Sequence, residues 1–357
     1  MTTVTDLRID LAAIVGNWRS LRRPGAATAA VLKADAYGTG AAKVASALYQ
    51  AGCRHFFVAH LDEALALRAL VPGAMLAVLN GLWPGAAPEF VTHDLRPVLG
   101  SLAEIAAWRE AARRAGRPMP ALVHIDTGMN RLGLPPAEVT ALAEDPALLD
   151  GVAVQYMMTH LVSAEDPADP INARQARDFR AACDRLPPAP RSLANSSGLF
   201  LGDAFHSDLA RPGAALYGVN PTPGQPNPMR PVVRLLARIL QVREVGAGER
   251  VGYNGIWTAG QRSRIATVSV GYADGFLRSL SNHADASFDG TPVPLVGRVS
   301  MDLTTFDITA TPARAGDWLE LIGGDQTVDA LAQRAGTNGY EILTSLGPRY
   351  SRSYQPA

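Results

Sequence analysis

Short apolar runs alternate with helical patterns over the first two-thirds of the chain, and this alternation constrains the fold more than any other feature. Continuous apolar runs are typical of parallel strands that are buried on both faces. The segments between them repeat apolar residues at intervals of three and four, as helices do. One such segment, Ser101–Gly116, opens with the capping box Ser101-Leu-Ala-Glu104 and closes on a glycine.

Eight strands separated mostly by helices predict a (β/α)8 barrel of the TIM type. The predicted strands are Thr28–Leu32, His55–Ala59, Met75–Asn80, Leu95–Leu99, Ala121–Asp126, Val152–Met158, Arg191–Ala194 and His206–Ala210. The predicted helices are Ala41–Gly52, Asp62–Leu70, Ser101–Gly116, Pro136–Glu144 and Asn172–Leu186. Because the last two strands are short and close together in sequence, a doubly wound open sheet is the alternative.

A proline-rich linker follows, with four prolines among residues 219–228. Beyond it the pattern is β-rich with turns that contain glycine. The predicted elements are the strands Leu236–Val245, Ser263–Gly271, Pro292–Val299, Leu303–Ile308 and Trp318–Ile322 and a single helix, Val328–Gly336. We therefore predict a barrel over residues 9–228 and a mostly β domain over residues 229–357, which the N-terminal strand of residues 1–8 joins.

Composition narrows the range of partners. Thirty-three basic and 33 acidic residues balance, so nothing indicates nucleic acid or an anionic membrane surface. The chain lacks an apolar span long enough for a bilayer and the basic-then-apolar layout of a signal peptide. Two cysteines, Cys53 and Cys183, cannot form a disulfide framework, and no cluster has metal-ligand spacing. We expect a cytoplasmic protein without a metal that acts on a small molecule.

Lys33 directly follows the first predicted strand, and active sites of such barrels lie at the carboxyl ends of strands. Desolvation beside an apolar strand disfavours the charged form of a lysine and leaves an amine able to attack a carbonyl. The alternative is a lysine whose ammonium group simply reaches solvent at the barrel rim.

A second group of candidates follows strands seven and eight, where such barrels commonly hold a phosphate. It consists of Ser196 and the backbone N–H groups of Gly213 and Ala214. This placement indicates a phosphorylated substrate or cofactor. The alternative is that Asn195 and Ser196 are ordinary helix caps.

Arg211 and His160 are two further side chains at strand ends. A guanidinium stays protonated, so Arg211 can anchor a nitrogen or an anion without giving up its proton. A salt bridge from Arg211 to Asp203 or Asp208 is the alternative. His160 is suited to pack against a ring, or it is a structural histidine.

The segment Val31-Leu-Lys-Ala-Asp-Ala-Tyr-Gly-Thr-Gly40 resembles the cofactor-lysine signature of the alanine racemase family. Seven further motifs follow in family order, so the resemblance covers essentially the whole chain. They are His124–Gly133, Met158–His160, Ala194–Gly198, Ala210–Gly218, Val251–Asn254, Val270–Gly275 and Val296–Asp302.

The resemblance implies a pyridoxal 5'-phosphate barrel that works as a head-to-tail homodimer and interconverts L-alanine and D-alanine. Lys33 would hold the cofactor as a Schiff base and act as one acid/base group. Tyr253 of the partner subunit would act on the opposite face, because racemisation requires protonation from the face opposite to deprotonation. The sequence leaves open whether the D-alanine pathway is cell-wall (peptidoglycan) supply or alanine breakdown.

The family pattern also assigns the remaining site residues. Tyr37, Ser196, Gly213 and Ala214 would hold the cofactor phosphate, Arg211 would bind the pyridine nitrogen and His160 would pack on the ring face. Asn195 is a further cofactor-binding residue. Arg131 would lie near the cofactor phenolate and the substrate carboxylate. The partner's Tyr272, Met301 and Asp302 would shape the substrate entrance, with the backbone N–H of Met301 toward the carboxylate.

The chain departs from the family pattern at two positions. Many members carry a carbamylated lysine where this chain has His124, so Arg131 relies on a bound anion such as chloride, on another acid, or on neither. Members often carry a phosphate-contacting tyrosine where the alignment puts Pro348. Tyr350 and Tyr354 are the candidates to replace it.

Three alternatives share parts of this pattern. A racemase that prefers serine or a broader set of amino acids has the same two domains. Related decarboxylases carry an acidic residue at the pyridine nitrogen and a late cysteine, whereas this chain has Arg211 and no cysteine after Cys183. Non-catalytic pyridoxal-phosphate carriers resemble the barrel alone, and the β domain with Tyr253 argues against them.

Overall fold

The computed structural model describes residues 3–357, in which strands and helices alternate through the first half of the chain and strands dominate the second. The strands are β1 (Thr5–Asp10), β2 (Ala27–Thr28), β3 (Ala30–Val31), β4 (His55–Val58), β5 (Met75–Val78), β6 (Arg96–Leu99), β7 (Met119–His124), β8 (Val152–Met158), β9 (Arg191–Ser192), β10 (Leu209–Ala210), β11 (Val233–Val245), β12 (Arg250–Val251), β13 (Trp257–Thr258), β14 (Ser263–Val268), β15 (Asp285–Phe288), β16 (Thr291–Pro294), β17 (Thr304–Asp307), β18 (Trp318–Ile322) and β19 (Arg352–Gln355). The helical segments are α1 (Leu11–Ser20), α2 (Lys33–Gly38), α3 (Ala41–Gln50), α4 (Leu61–Arg68), α5 (Ala87–Thr92), α6 (Leu102–Ala115), α7 (Pro136–Glu144), α8 (Pro170–Arg185), α9 (Val328–Ala335) and α10 (Gly339–Thr344). Within residues 3–357, none of these helices combines the length and the hydrophobicity needed to cross a bilayer.

The parallel strands close into a barrel. Strands β3 to β9 form one sheet in sequence order. Strand β10 pairs with β2, and β2 and β3 together make up the first strand position of the barrel. The backbone N–H of Val31 donates to Pro212 (3.1 Å), and that of Arg211 donates to Ala194 (2.9 Å). These bonds join the eighth strand position to both the first and the seventh. The predicted (β/α)8 barrel is confirmed, and the open doubly wound sheet is wrong.

The C-terminal strands form a second, mostly antiparallel sheet. Its main order is β16-β15-β18-β11-β1-β19, and β14 pairs with β11 and β17. The N-terminal strand β1 lies between β11 and β19, antiparallel to the first and parallel to the second. The boundaries 9–228 and 229–357 stay a prediction, and Met1 and Thr2 of the predicted N-terminal strand lie outside the described residues.

Two C-terminal elements differ from the sequence prediction. The apolar pattern predicts one strand over Pro292–Val299, whereas β16 ends at Pro294 and Gly297 has a φ of +82°. The pattern predicts a single helix in this region, whereas α10 follows α9. Helix α10 has only six residues and begins with glycine, so it is too short to show a clear helical period.

Helix α6 shows how local sequence and packing combine. The Ser101 hydroxyl accepts the N–H of Glu104 (3.2 Å), and Gly116 ends the helix in the left-handed conformation, as predicted. The Glu104 carboxylate does not complete the predicted capping box. It accepts the N–H groups of Leu82 (3.0 Å) and Gly100 (2.5 Å), and so it ties α6 to neighbouring barrel loops.

Asn17 on α1 connects the barrel to the segment that leads into the second sheet. Its amide nitrogen donates to the carbonyls of Leu216 (3.1 Å) and Arg230 (3.0 Å), and its oxygen accepts the N–H of Arg230 (2.9 Å). The residue is 1% exposed. Removal of this side chain would leave buried backbone groups without partners.

We expect Asn17→Ala to lower the free energy of unfolding by about 1–3 kcal/mol, the cost of buried polar groups that lose their hydrogen bonds. Urea unfolding followed by tryptophan fluorescence measures the change. Ser46→Ala, at a hydroxyl that only bonds the Ala42 carbonyl of its own helix, is the control and should change stability by about 0.5 kcal/mol or less. Equal unfolding midpoints for the two variants would contradict the role of Asn17.

Candidate active site

A cavity of about 400 Å³ opens at the carboxyl ends of the barrel strands. This size is typical of small-molecule sites. All eight residues that the sequence predicts to contact a cofactor line it: Lys33, Tyr37, His160, Asn195, Ser196, Arg211, Gly213 and Ala214. The structure thus brings together side chains that are up to 181 positions apart in sequence, Lys33 and Ala214.

The segment α2 that carries Lys33 and Tyr37 is a left-handed turn. Ala34, Asp35, Ala36 and Tyr37 have φ between +53° and +55°, which costs about 1–2 kcal/mol per residue relative to the right-handed form. Packing holds the turn in place, since the Tyr37 ring stacks on the fully buried Tyr217 at 4.7 Å between centroids. Such strain at a cavity wall is typical of functional sites.

Side-chain hydrogen bonds hold the same turn at both ends. Glu63 accepts the N–H of Ala34 (2.6 Å), and Asp35 accepts the N–H of Ala41 (2.7 Å). A side chain at Gly38 would clash with the carbonyl oxygen of Leu343 on α10. The position of Tyr37 therefore depends on close packing between the barrel and the C-terminal part of the chain.

The Lys33 amine lies in an environment that favours its neutral form. Burial, assisted by the charge of Arg131, lowers its pKa, and Glu63 opposes this shift. A lowered pKa increases the fraction of neutral amine at a given pH, and this form is the nucleophile or base. The structure therefore agrees with a reactive Lys33 rather than with a lysine extended into solvent.

Arg211 is a buried cation without a carboxylate partner. It is 4% exposed, and burial lowers its pKa to about 10, so it stays protonated at neutral pH. Its Nη1 donates to the carbonyl (2.8 Å) and hydroxyl (2.5 Å) of Ser192, and its Nη2 donates to the Thr159 carbonyl (2.5 Å). The alternative salt bridge to Asp203 or Asp208 is not formed within residues 3–357.

The two histidines near Arg211 are neutral. Burial and then the Arg211 charge lower the pKa of His160 to about 3, and the same two causes lower the pKa of His124 to about 4. Both rings therefore lack a charge at neutral pH. His160 lines the cavity, whereas His124 is buried at the end of β7 and does not.

Ser196 connects the ends of two strands. Its hydroxyl oxygen accepts the N–H groups of Gly213 (3.0 Å) and Ala215 (3.2 Å), so its own O–H remains available as a donor. Asn195 acts partly as a cap, because its Oδ1 accepts the N–H of Gly198 (2.9 Å). Both residues line the cavity. Asn195 therefore caps the following turn and also forms part of the cavity wall.

Arg131 lies beyond the cavity lining but close enough to Lys33 and His160 to lower their pKa values. Within residues 3–357 its guanidinium forms no ion pair. The nearby Asp126 accepts the N–H groups of Gly128 and Met129, each at 2.9 Å, and so shapes the loop. No acid of the described chain therefore replaces the missing carbamate.

Besides Arg131, four predicted site residues do not line the cavity: Tyr253, Tyr272, Met301 and Asp302. All are in the C-terminal part of the chain, and Tyr253, Met301 and Tyr272 are 68%, 54% and 42% exposed. Exposed large apolar side chains that share one region are typical of an interaction surface.

Tyr340, Thr344 and Glu165 are among the residues of the cavity wall that the sequence prediction missed. The Tyr340 hydroxyl donates to Glu165 Oε1 (2.7 Å) across the junction of barrel and C-terminal region. Tyr340 and Thr344 belong to α10, the helix that the sequence pattern does not predict. Neither Tyr350 nor Tyr354, the candidates to replace the tyrosine at Pro348, lines the cavity.

Within residues 3–357, no group of three or more His, Cys, Asp or Glu is arranged to hold a metal ion. The cavity instead collects one amine, two or more neutral donors and the buried Arg211 cation. Such a site can bind an anionic molecule and react with its carbonyl group.

Comparisons with known proteins agree with this geometry. A family model described as the alanine racemase N-terminal domain matches residues 9–221, and one described as the C-terminal domain matches residues 232–354. The alanine racemase of Acidiphilium cryptum is 57% identical, over 97% of this chain and 97% of its own. A Mesorhizobium japonicum protein named catabolic alanine racemase is 51% identical, over 98% of this chain and 92% of its own. A crystal structure of alanine racemase from Bartonella henselae with covalently bound pyridoxal phosphate superposes with a TM-score of 0.96 at 41% identity, covering 99% of this chain and 100% of that one.

The chain has only two lysines, Lys33 and the exposed Lys43, so amine reactivity is simple to follow. Because its pKa is lowered, Lys33 should reach half-maximal modification at a lower pH than a lysine of ordinary pKa, in protein freed of bound carbonyl compounds. Competitive labelling with an acylating reagent and peptide mass analysis measures both sites at once. Arg131→Gln should move the Lys33 midpoint to higher pH, and an unchanged midpoint would contradict the charge effect.

Proposed function

The chain belongs to the alanine racemase family, and from this premise we propose that it interconverts L-alanine and D-alanine with pyridoxal 5'-phosphate and two bases. The observation that carries the proposal is the match of both family domains together with full-length relatives at 57% and 51% identity. The enzyme is a pyridoxal-phosphate-dependent isomerase that acts on a small amino acid. We infer its site residues from the cavity, and its subunit arrangement from the exposed residues of the C-terminal region.

The cavity fits the cofactor because it presents donors that lack a protein partner. Within residues 3–357, Lys33 Nζ, Tyr37 Oη and Arg211 Nε form no hydrogen bond, although all three residues line the cavity. A side chain at Gly213 would clash with the Tyr37 hydroxyl, so this glycine keeps one wall open to a ligand. The Lys33 amine suits the aldehyde of pyridoxal phosphate, the Tyr37 phenol suits its phosphate, and the Arg211 guanidinium suits its ring nitrogen.

Each cavity residue has a role in this proposal. Lys33 would hold the cofactor covalently, Tyr37, Ser196, Gly213 and Ala214 would bind its phosphate, and Asn195 would also contact the cofactor. When bound, pyridoxal phosphate supplies an electron sink that makes the Cα hydrogen of an amino acid acidic enough to remove. The neutral His160 packs against the ring face.

The Lys33 amine takes or returns the Cα proton on one face of the substrate. Burial and the charge of Arg131 lower the pKa of Lys33, which increases the fraction of neutral amine that can accept a proton. Arg131 lies near Lys33 and binds the substrate carboxylate. Its positive charge is not offset by an acid of the described chain, which leaves it available for an anion.

Arg211 donates a hydrogen bond to the ring nitrogen and keeps its own proton. With a pKa of about 10, its guanidinium remains charged at neutral pH. Because Arg211 would not give up its proton to that nitrogen, the bound cofactor would supply a weaker electron sink. We infer that this favours return of the proton to Cα and so disfavours transamination.

The second base, in this proposal, is Tyr253 of the partner subunit in a homodimer. Tyr253 is far more exposed than a tyrosine that serves packing, and it does not line the cavity of its own chain. The partner's Tyr272, Met301 and Asp302 would shape the substrate entrance from the same side. Cationic groups near the site, Arg211 among them, would stabilise the phenolate that the tyrosine must form.

We place the enzyme in the cytoplasm. Both cysteines, Cys53 and Cys183, are buried free thiols, and burial raises their pKa values to about 12 and about 11. Unpaired thiols agree with a reducing compartment.

Tyr253→Phe should lower kcat for racemisation by about 10²-fold or more, because one of the two acid/base groups is lost. Bound chromophore should stay at the wild-type level. Exchange of the Cα hydrogen of one alanine enantiomer with deuterated solvent should also persist, because Lys33 is intact. Tyr49→Phe, at a surface tyrosine that bonds the Pro72 carbonyl, is the matched control and should keep full activity. Racemisation within tenfold of wild type in Tyr253→Phe would remove this tyrosine from the mechanism.

Mixing Lys33→Ala and Tyr253→Phe subunits should restore activity, because one site of each mixed dimer combines an intact Lys33 with an intact Tyr253. Each variant alone should remain inactive. Activity of the mixture is measured after subunit exchange, which mass spectrometry of the intact dimers verifies. No recovery in verified mixed dimers would contradict a shared site.

A further inference from the structure

The residues proposed to face the partner's cavity lie on three turns of the C-terminal region. Tyr253 is on the first, Tyr272 on the second, and Met301 with Asp302 on the third. We call these four residues the ridge. Tyr272 N donates to the Ser300 carbonyl and Ala273 N donates to the Met301 carbonyl, each at 3.0 Å. Backbone hydrogen bonds therefore join the second and third turns.

One side chain from the end of the chain holds the same two turns. Arg349 Nε donates to Asp274 Oδ1 (2.5 Å) and its Nη1 donates to Asp302 Oδ1 (2.7 Å). Asp274 is 4% exposed, and its other oxygen accepts the N–H of Gly271 (2.9 Å). Asp302, by contrast, is exposed and belongs to the ridge.

We infer that Arg349 is a positioning residue, which fixes Asp302 and the Met301 backbone relative to the Tyr272 turn and thereby sets substrate affinity in the partner's active site. This inference rests on the proposed function, because the ridge acts only if it faces the partner's cavity. It concerns the shape of the entrance, whereas cofactor binding depends on barrel residues that Arg349 does not touch.

The segments that carry Arg349 and the ridge are closely packed against each other. A side chain at Gly271 would clash with the carbonyl oxygens of Ser300 and Met301, and one at Gly275 would clash with that of Ser345. The Gly347 N–H donates to the Asp274 carbonyl (2.9 Å). The segments around residues 271–275, 300–302 and 345–349 thus touch through their backbones.

A second arginine braces the segment that carries Arg349. Arg352 donates from Nη1 to the Gly347 carbonyl and from Nη2 to the Leu346 carbonyl, both at 2.9 Å. Arg352 thus fixes the backbone just before Arg349, while Nε and Nη1 of Arg349 bond two different carboxylates. A displacement of Asp302 therefore requires either the loss of its bond to Arg349 or movement of the whole segment.

The geometry also explains why an arginine is needed. The planar fork of a guanidinium bonds two acceptors in fixed directions, whereas a lysine ammonium is a single point charge on a flexible stem. The buried Asp274 needs a cation nearby, which either residue supplies. Only arginine supplies that charge and holds Asp302 at the same time.

The test uses mixed dimers in which only one of the two active sites has both an intact Lys33 and an intact Tyr253. One subunit carries Lys33→Ala and contributes its ridge to the intact site; we call it the ridge-lending subunit. The other subunit carries Tyr253→Phe and contributes Lys33 to that site. Arg349→Gln is introduced either into the Lys33→Ala subunit or into the Tyr253→Phe subunit. Kinetics with L-alanine and the bound chromophore are measured in both arms, and the dimers without Arg349→Gln are the reference.

With Arg349→Gln in the ridge-lending subunit, we expect KM to rise and kcat/KM to fall by about tenfold to a hundredfold, as misplaced binding groups cause. With Arg349→Gln in the other subunit, kinetics should stay within about twofold of the reference, because the altered ridge then faces only the site that lacks Lys33. Chromophore content should match in both arms. A general folding defect would lower activity and chromophore in both arms alike.

Equal kinetics in the two arms would overturn the positioning role of Arg349 while leaving the shared site intact. Absence of activity in the reference dimers would instead overturn the shared site, and the role of Arg349 with it. If Arg349→Gln subunits do not fold, Arg349→Lys keeps a charge beside Asp274 and tests the same two arms. It should give a smaller rise in KM, again only in the ridge-lending subunit.

Discussion

The active-site region depends on a buried guanidinium, that of Arg211, which pairs with no carboxylate of residues 3–357. Arg211 is held by the Ser192 carbonyl and hydroxyl and by the Thr159 carbonyl, all at the carboxyl ends of barrel strands. Because these partners carry only partial charge, the cation retains a strong local field. That field helps to keep His160 and His124 neutral, so the cavity combines a fixed positive charge with uncharged rings and donors. An anionic ligand offsets this excess charge.

The part of the cavity wall that carries Lys33 and Tyr37 is held in a strained conformation that packing maintains. Four consecutive residues after Lys33 are left-handed, and the stacking of Tyr37 on Tyr217 together with the contact of Gly38 on Leu343 fixes them. Leu343 belongs to α10, and α10 also supplies Tyr340 to the cavity. The C-terminal region therefore acts on the cavity of its own chain through α10. In the proposed dimer it also acts on the partner's cavity, through the ridge.

Much of this arrangement was predictable from sequence because the residues concerned occur where short apolar strands end. That rule placed Lys33, His160, Asn195, Ser196 and Arg211 near one another, and the structure groups them around one cavity. It failed for Tyr340 and Thr344, because a six-residue helix gives too little periodicity to detect. It also failed for the partners of Arg211, since backbone carbonyls leave no trace in the sequence of side chains. The suggested acids near in sequence, Asp203 and Asp208, bond other groups instead.

The sequence by itself predicted most of the order of strands and helices, the proline-rich linker at residues 219–228 and the residue types available at each strand end. These follow from local periodicity, proline content and the chemistry of single residues. Only the tertiary structure decided which distant groups meet, as Arg349 meets Asp274 and Asp302 at separations of 75 and 47 residues. The physical reason is that such contacts are set by how the sheets close and pack against each other. The pattern of one segment carries no information on the position of another segment in space.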